Sequence, residues 1–338
     1  MPDLQTIWFL LIGVLLLGYA VLDGFDLGVG MLHLFLGRDD TERRILINSI
    51  GPVWDGNEVW LLTAGGALFA AFPPGYATVF SGFYLALMLL LAGLILRAVS
   101  LEFRGKEESP RWRALWDRGF ALGSFLPALL LGVALGNVMR GVPLDGDGEF
   151  AGSFLGLLNP FAVGVGLMAV ALFVMHGGAW LLMKTEGPLR GRAESAARGA
   201  WVAFVAAGLA TTALSIGAAP HLWGRFGPGA AWLVPAAMVA ALALFPRALR
   251  GTGRAAFALS SLVTASALAI VGLGLYPLLV PALGRWPAGL SIYNSASSPL
   301  TLRTMLVIAL VGMPLVVTYT AFIYRQFRGP VRLDEASY

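Results

Sequence analysis

Four carboxylic acids stand inside the first two apolar segments of this chain. Two lie in Asp23-Gly24-Phe25-Asp26 and two in Asp55-Gly56-Asn57-Glu58. Each pair is spaced by three residues, so on a helix each shares one face. A charge at the centre of a membrane helix costs roughly 2.5–3.5 kcal/mol, and intramembrane acids therefore read as functional groups. Neither segment contains a Lys or Arg. The acids must then be protonated, hydrated or paired with a group from elsewhere. A protonatable acid at membrane depth suits a proton relay. The competing reading is structural. The acids would hydrogen-bond backbone or polar groups and lock helices together, with Gly24-x-x-x-Gly28 letting a neighbour approach closely. Asp55 and Glu58, near a span start, also suit the positive end of a helix dipole.

Other polar and aromatic residues surround these acids. Trp54 and Trp60 flank the second pair, as interfacial anchors or as walls of a cofactor or gas route in a neighbouring protein. Asn57 between them needs a hydrogen-bond partner. Of the three histidines, His33 and His221 lie near span ends, and only His176 lies well inside a span. A single span histidine reads as a hydrogen-bonded packing residue, so no haem or metal ligand is assigned here. No phosphate-binding loop, dinucleotide fingerprint or metalloprotease motif is present.

The elements that must position these residues are transmembrane helices. The chain is 58% hydrophobic and only 12% charged, outside the range of soluble domains. Its apolar runs predict an all-α, polytopic integral membrane protein with about nine spans in a single membrane domain. They fall near 7–36, 52–71, 76–98, 119–139, 158–183, 199–219, 229–245, 255–280 and 301–325. The spans group loosely as two four-helix bundles plus one peripheral helix. The first is expected to be a retained span, because Met1-Pro2-Asp3-Leu4-Gln5 lacks a basic signal region. The short segment Thr41–Ile47 reads as an interfacial helix, and Ser298-Pro299 as the cap and first residue of the last span. The stretch near 97–118 reads as a solvated, self-neutralising loop. The chain carries a net charge of +4, and all its Lys and Arg except Arg140, Arg225, Arg285 and Arg303 fall on one side. This bias places the N-terminus outside and the C-terminus in the cytoplasm, and argues for topology rather than nucleic-acid binding. The absence of cysteine excludes disulfides and thiolate-held metals within the chain.

Several strings resemble subunit II of the cytochrome bd quinol oxidases: Asp23-Gly24-Phe25-Asp26-Leu27-Gly28-Val29-Gly30, the run Asn48 to Leu61 and the run Ala64 to Pro73. So do Arg97-Ala98-Val99 with Glu102, Gly123-Ser124-Phe125-Leu126-Pro127 and Ile292 to Leu302. The resemblance implies a respiratory terminal oxidase of the bacterial plasma membrane. Such an oxidase oxidises quinol and reduces dioxygen to water with protons taken from the cytoplasm, generating a proton motive force. It implies that haem-bearing subunit I, the obligate partner, holds two haems b and one haem d, while this chain binds none alone. It leaves room for a small accessory subunit and a structurally bound quinone. By position it marks Asp55 and Glu58 for a proton route and Trp60 for an oxygen route; Asp23 and Asp26 stay proton-path candidates on their own placement. The rival reading is a proton-coupled secondary transporter, against which stands the lack of an inverted repeat or paired broken helices.

Overall fold

In the computed structural model, residues 3–225, 229–285 and 288–333 are described. Eleven α-helices dominate them, with one short hairpin. Helix α1 (Leu4–Leu36) is a 33-residue helix capped by Asp3, whose carboxylate accepts from the Thr6 N–H at 2.7 Å. Helix α2 (Asp40–Asn48) is short and closed by a capping box. Asp39 accepts from the Glu42 N–H at 2.8 Å, and Glu42 accepts from the Arg38 N–H at 2.8 Å. Then follow α3 (Trp54–Ala71), α4 (Pro73–Gly82), α5 (Tyr84–Arg104) and α6 (Pro110–Arg140). The second half holds α7 (Pro160–Lys184), α8 (Gly187–Ala218), α9 (Leu233–Ala248) and α10 (Arg254–Leu275). An antiparallel hairpin, β1 (Leu278–Pro281) and β2 (Gly289–Ser291), precedes α11 (Pro299–Gln326). Ser298 caps α11, as its sequence requires, accepting from the Thr301 N–H at 3.2 Å.

Eight of these helices are long and apolar enough to cross a membrane. The expected second span corresponds to α3, an 18-residue helix that carries Asp55 and Glu58 in its first turns. The expected third span is broken. Phe83, only 2% exposed, leaves the helical path between α4 and α5 and packs with Val142, Leu157 and Val280. The expected loop near 97–118 shrinks to residues 105–109, because α5 runs on to Arg104 and α6 starts at Pro110. The expected eighth span ends early, at Leu275, and the chain turns into β1.

The packing has an internal order. Helix α1 lies against α3, α6, α7 and α10, while α5 lies on α6 as α9 lies on α10. Two groups of four result: α1, α3, α5, α6 and α7, α8, α9, α10. They meet through their first helices, and the fourth helix of each touches the first helix of the other. This is a pseudo-two-fold arrangement. Its centre is the crossing of α1 and α7 at Gly28 and Gly177, where a Cβ on Gly177 would stand 2.6 Å from the Gly28 carbonyl carbon. Helix α11 stands apart, with its apolar middle unburied. It is held at its ends. The Trp8 indole donates to the Leu302 carbonyl at 3.0 Å, and the Lys184 ammonium donates to the Phe327 carbonyl.

Candidate functional site

The first acidic pair lies at the centre of the α1 group. Asp23 and Asp26 are both fully buried, on a stretch of α1 that is buried continuously from Asp23 to His33. Their surroundings differ. Asp23 is gripped by Arg97 of α5, which is also fully buried. One guanidinium nitrogen reaches Asp23 Oδ2 at 2.8 Å and the other meets Oδ1, a two-point pair. The cation missing from spans one and two thus comes from the third, at a position the sequence reading had placed at a span end. Arg97 therefore leaves the set of loop charges used for orientation.

Asp26 makes no ion pair among the described residues, although Arg97 is within electrostatic reach. The Asn57 side-chain N–H of α3 donates to Asp26 Oδ2 at 2.7 Å and to the Leu22 carbonyl at 3.1 Å. The Asn57 carbonyl oxygen accepts from the Tyr324 hydroxyl of α11 at 2.9 Å. A hydrogen-bonded chain Tyr324–Asn57–Asp26 therefore joins three helices, while Asp26 Oδ1 is buried without a partner. Asn57 finds the partner its burial requires. Tyr324 is a member of this chain that no sequence pattern indicated, because it arrives from 267 residues away.

The second acidic pair is more open. Asp55 is exposed at the start of α3 and Glu58 is half-buried. Glu58 is close enough to interact electrostatically with Arg97, Asp23 and Asp55. The four acids therefore form a gradient of burial, from Asp55 at the surface through Glu58 to Asp23 and Asp26. The tryptophans separate. Trp54 is 8% exposed and belongs to the main core, so it is not an interfacial anchor. Trp60 is half-buried and lies across Gly18 of α1, where any side chain would collide with its indole ring.

His176 acts as the expected packing residue. Its Nδ1 meets Ser260 Oγ at 2.7 Å and its Nε2 meets the Val21 carbonyl at 2.9 Å. With both ring nitrogens engaged, it does not fit an axial haem position. His33 is less ordinary than its place near a span end suggested. It is fully buried, with Nε2 at 2.6 Å from Asp117 Oδ1. Asp117 also accepts from Arg104 at 2.5 Å and Arg43 at 2.7 Å, and Arg104 and Arg113 both hold Asp40. Within the stretch expected to be a solvated loop, Glu102, Lys106, Glu107, Glu108 and Arg111 are exposed, whereas Arg104 and Asp117 are the buried centre of an ion network tying together α1, α2, α5 and α6.

A family profile for cytochrome bd terminal oxidase subunit II matches residues 4–327. The chain belongs to that family. Relatives agree along its whole length. Cytochrome bd-I ubiquinol oxidase subunit 2 of Escherichia coli K12 is 40% identical, over 98% of this chain and 96% of its own. Cytochrome bd ubiquinol oxidase subunit 2 of Bacillus subtilis is 35% identical over 99% of each. A chain of the bd oxidase structure from Geobacillus thermodenitrificans has the same fold. Its TM-score is 0.78 at 17% identity, covering 96% of this chain and 98% of that one. Membership in the subunit II family makes this a multi-pass protein of the bacterial inner membrane, working beside a subunit I. It also disfavours the transporter reading.

Proposed function

We propose that this chain is subunit II of a respiratory terminal oxidase that oxidises quinol and reduces dioxygen to water, and that it conducts protons toward the site of reduction. The observation that carries the proton role is the Tyr324–Asn57–Asp26 chain, ending on a buried, half-satisfied carboxyl beside the Asp23–Arg97 pair. Reduction of dioxygen consumes protons as well as electrons, and an apolar membrane interior supplies none. Asp55 is the entry, Glu58 the next station, and the buried acids of α1 the inner end. The basic end of the molecule, which includes α2 and the α5–α6 turn, faces the cytoplasm, so this route opens to the inside.

The haems, two b and one d, belong to subunit I, where they carry the electrons and bind oxygen. Both ring nitrogens of His176 are engaged within this chain, and His33 Nε2 is held by Asp117. What this chain's residues do is hold acids and their hydrogen-bond partners at membrane depth. Trp60, lying over Gly18, screens that region from lipid and borders an apolar route for oxygen.

The test of the assembly is the complex purified through a tag on this chain. Dithionite-reduced minus oxidised spectra should show b- and d-type bands with a second large subunit present. An intact, folded chain that never carries haem or a partner would overturn the assignment. For the relay, Asp55→Asn should slow quinol-driven oxygen consumption while haem content holds. Turnover equal to wild type at every pH would remove Asp55 from the route.

A further inference from the structure

Three buried polar atoms around Asp23 have no hydrogen-bond partner: the Tyr19 hydroxyl, Arg97 Nε and Asp26 Oδ1. Folded proteins pair nearly all such atoms, with ordered water where no side chain reaches. Tyr19 is 4% exposed and lies one helical turn before Asp23 on α1, about 6 Å along the axis. Its hydroxyl lies beside Asp23 without closing to an ordinary hydrogen bond, and it is within electrostatic reach of Arg97 and Glu58. On the α3 side, the Trp60 ring lies over the adjacent Gly18. A phenol with a buried ring and no close partner for its hydroxyl thus stands within reach of both the half-buried Glu58 and the buried Asp23–Arg97 pair.

We propose that Tyr19 is a positioning residue of the proton route. Its hydroxyl anchors ordered water that links Glu58 to the Asp23–Arg97 pair and, beyond it, to Asp26. The proposal rests on the relay reading above and names a missing link in it. The ring alone does not require this residue. A phenylalanine would fill the same space, so the hydroxyl is the functional part. Water bridging polar groups is nearly as favourable as direct contact and forms the continuous hydrogen-bonded path a proton needs. The protein supplies no direct path here. Glu58 has no described hydrogen bond to Asp23, and Arg97 spends two of its nitrogens on that acid. The charged groups within electrostatic reach of Tyr19 are Asp23 of α1, Glu58 of α3 and Arg97 of α5.

The test uses the intact complex with a short-chain ubiquinol, measuring oxygen consumption across pH in light and heavy water. Tyr19→Phe is compared with Asp26→Asn, each checked for haem content and melting temperature. Tyr19→Phe should turn over several-fold more slowly, with a changed pH profile and a changed solvent isotope effect at unchanged melting temperature. If Asp26→Asn is slow while Tyr19→Phe matches wild type in turnover, pH profile and isotope effect, the Tyr19 assignment is overturned and the relay stands. If both match wild type, the relay reading falls and the assignment falls with it. Should Tyr19→Phe fail to assemble, Glu58→Gln probes the same link from its other end. Wild-type turnover, pH profile and isotope effect in Glu58→Gln would overturn the water link.

Discussion

Asp23 and Arg97 form a fully buried ion pair between α1 and α5, and its value is one-sided. Desolvation offsets much of the attraction in such a pair, yet removing one partner strands the other charge. Arg97→Met should therefore destabilise the complex by about 3–5 kcal/mol, read as lost melting temperature or lost assembly. The paired change Asp23→Leu with Arg97→Met should recover most of that loss, since an apolar pair of similar volume replaces the ions. Proton delivery should not recover with it. A double variant that restores both stability and turnover would reduce Asp23 and Arg97 to a packing device. Asp26 is a different case. It makes no ion pair among the described residues, so Asp26→Asn keeps the Asn57 contact while removing the ionisable proton.

Between elements, the decisive contact is the crossing of α1 and α7. The carbonyl of Phe173 lies directly against Gly28, and Gly177 faces the Gly28 backbone, so two helices touch main chain to main chain. Such contact gives van der Waals packing that larger side chains forbid. Gly177→Val must separate the helices, because its Cβ would meet the Gly28 carbonyl carbon at 2.6 Å. That separation would disturb both four-helix groups at once. The expected result is loss of assembled, haem-bearing complex on purification. An assembled complex with wild-type melting temperature would show that the crossing tolerates a shift the geometry does not suggest. A milder effect is expected where α2 meets α8. Glu42 pairs with Arg192 and accepts from the Arg38 N–H. Burial raises its carboxyl pKa, but those hydrogen bonds outweigh it and hold the group below the ordinary carboxylate range. A depressed pKa stabilises the fold above the unfolded value, and the gain is lost as pH falls through the folded value. Glu42→Gln should thus cost about 0.5 kcal/mol at neutral pH, discounted for solvent screening, and nothing in acid below the carboxylate range. Melting temperatures at both pH values check this, and an equal loss at both would contradict it.

At the scale of the whole molecule, α11 is the anomaly. Its apolar middle is unburied within the chain, and it is tethered through Trp8, Tyr324 and Lys184. A helix held mainly at its ends and bare between them suits a subunit of a larger complex better than a free-standing protein. Tyr324 also brings the C-terminal helix into the hydrogen-bonded chain to Asp26, so in the proposed relay the docking of α11 and the formation of that chain are one event. Tyr324→Phe should leave the helix in place through its other tethers while cutting the Asn57 hydrogen bond. Slower turnover with haem retained is the expected outcome, and wild-type turnover would detach α11 from the route.

Much of this was legible in the amino-acid order. Apolar runs set the membrane helices, because backbone buried in lipid has to satisfy itself within a helix. The capping residues Asp39, Asn159 and Ser298 mark helix starts through bonds to neighbours three residues on. The acids of α1 and α3 stood out because charge inside an apolar segment is costly. What the sequence did not determine is which groups answer them. Arg97 pairs with Asp23 across 74 residues and Tyr324 reaches Asn57 across 267. The ion network of His33, Asp117, Arg43 and Arg104 likewise draws on four helices, and its members read locally as loop charges or span-end residues. Local spacing dictates hydrogen bonds made within a turn or two of helix. Pairing between helices depends on how they rotate and close on one another, and here that was decided by glycine contacts and burial that only the assembled tertiary structure brings together.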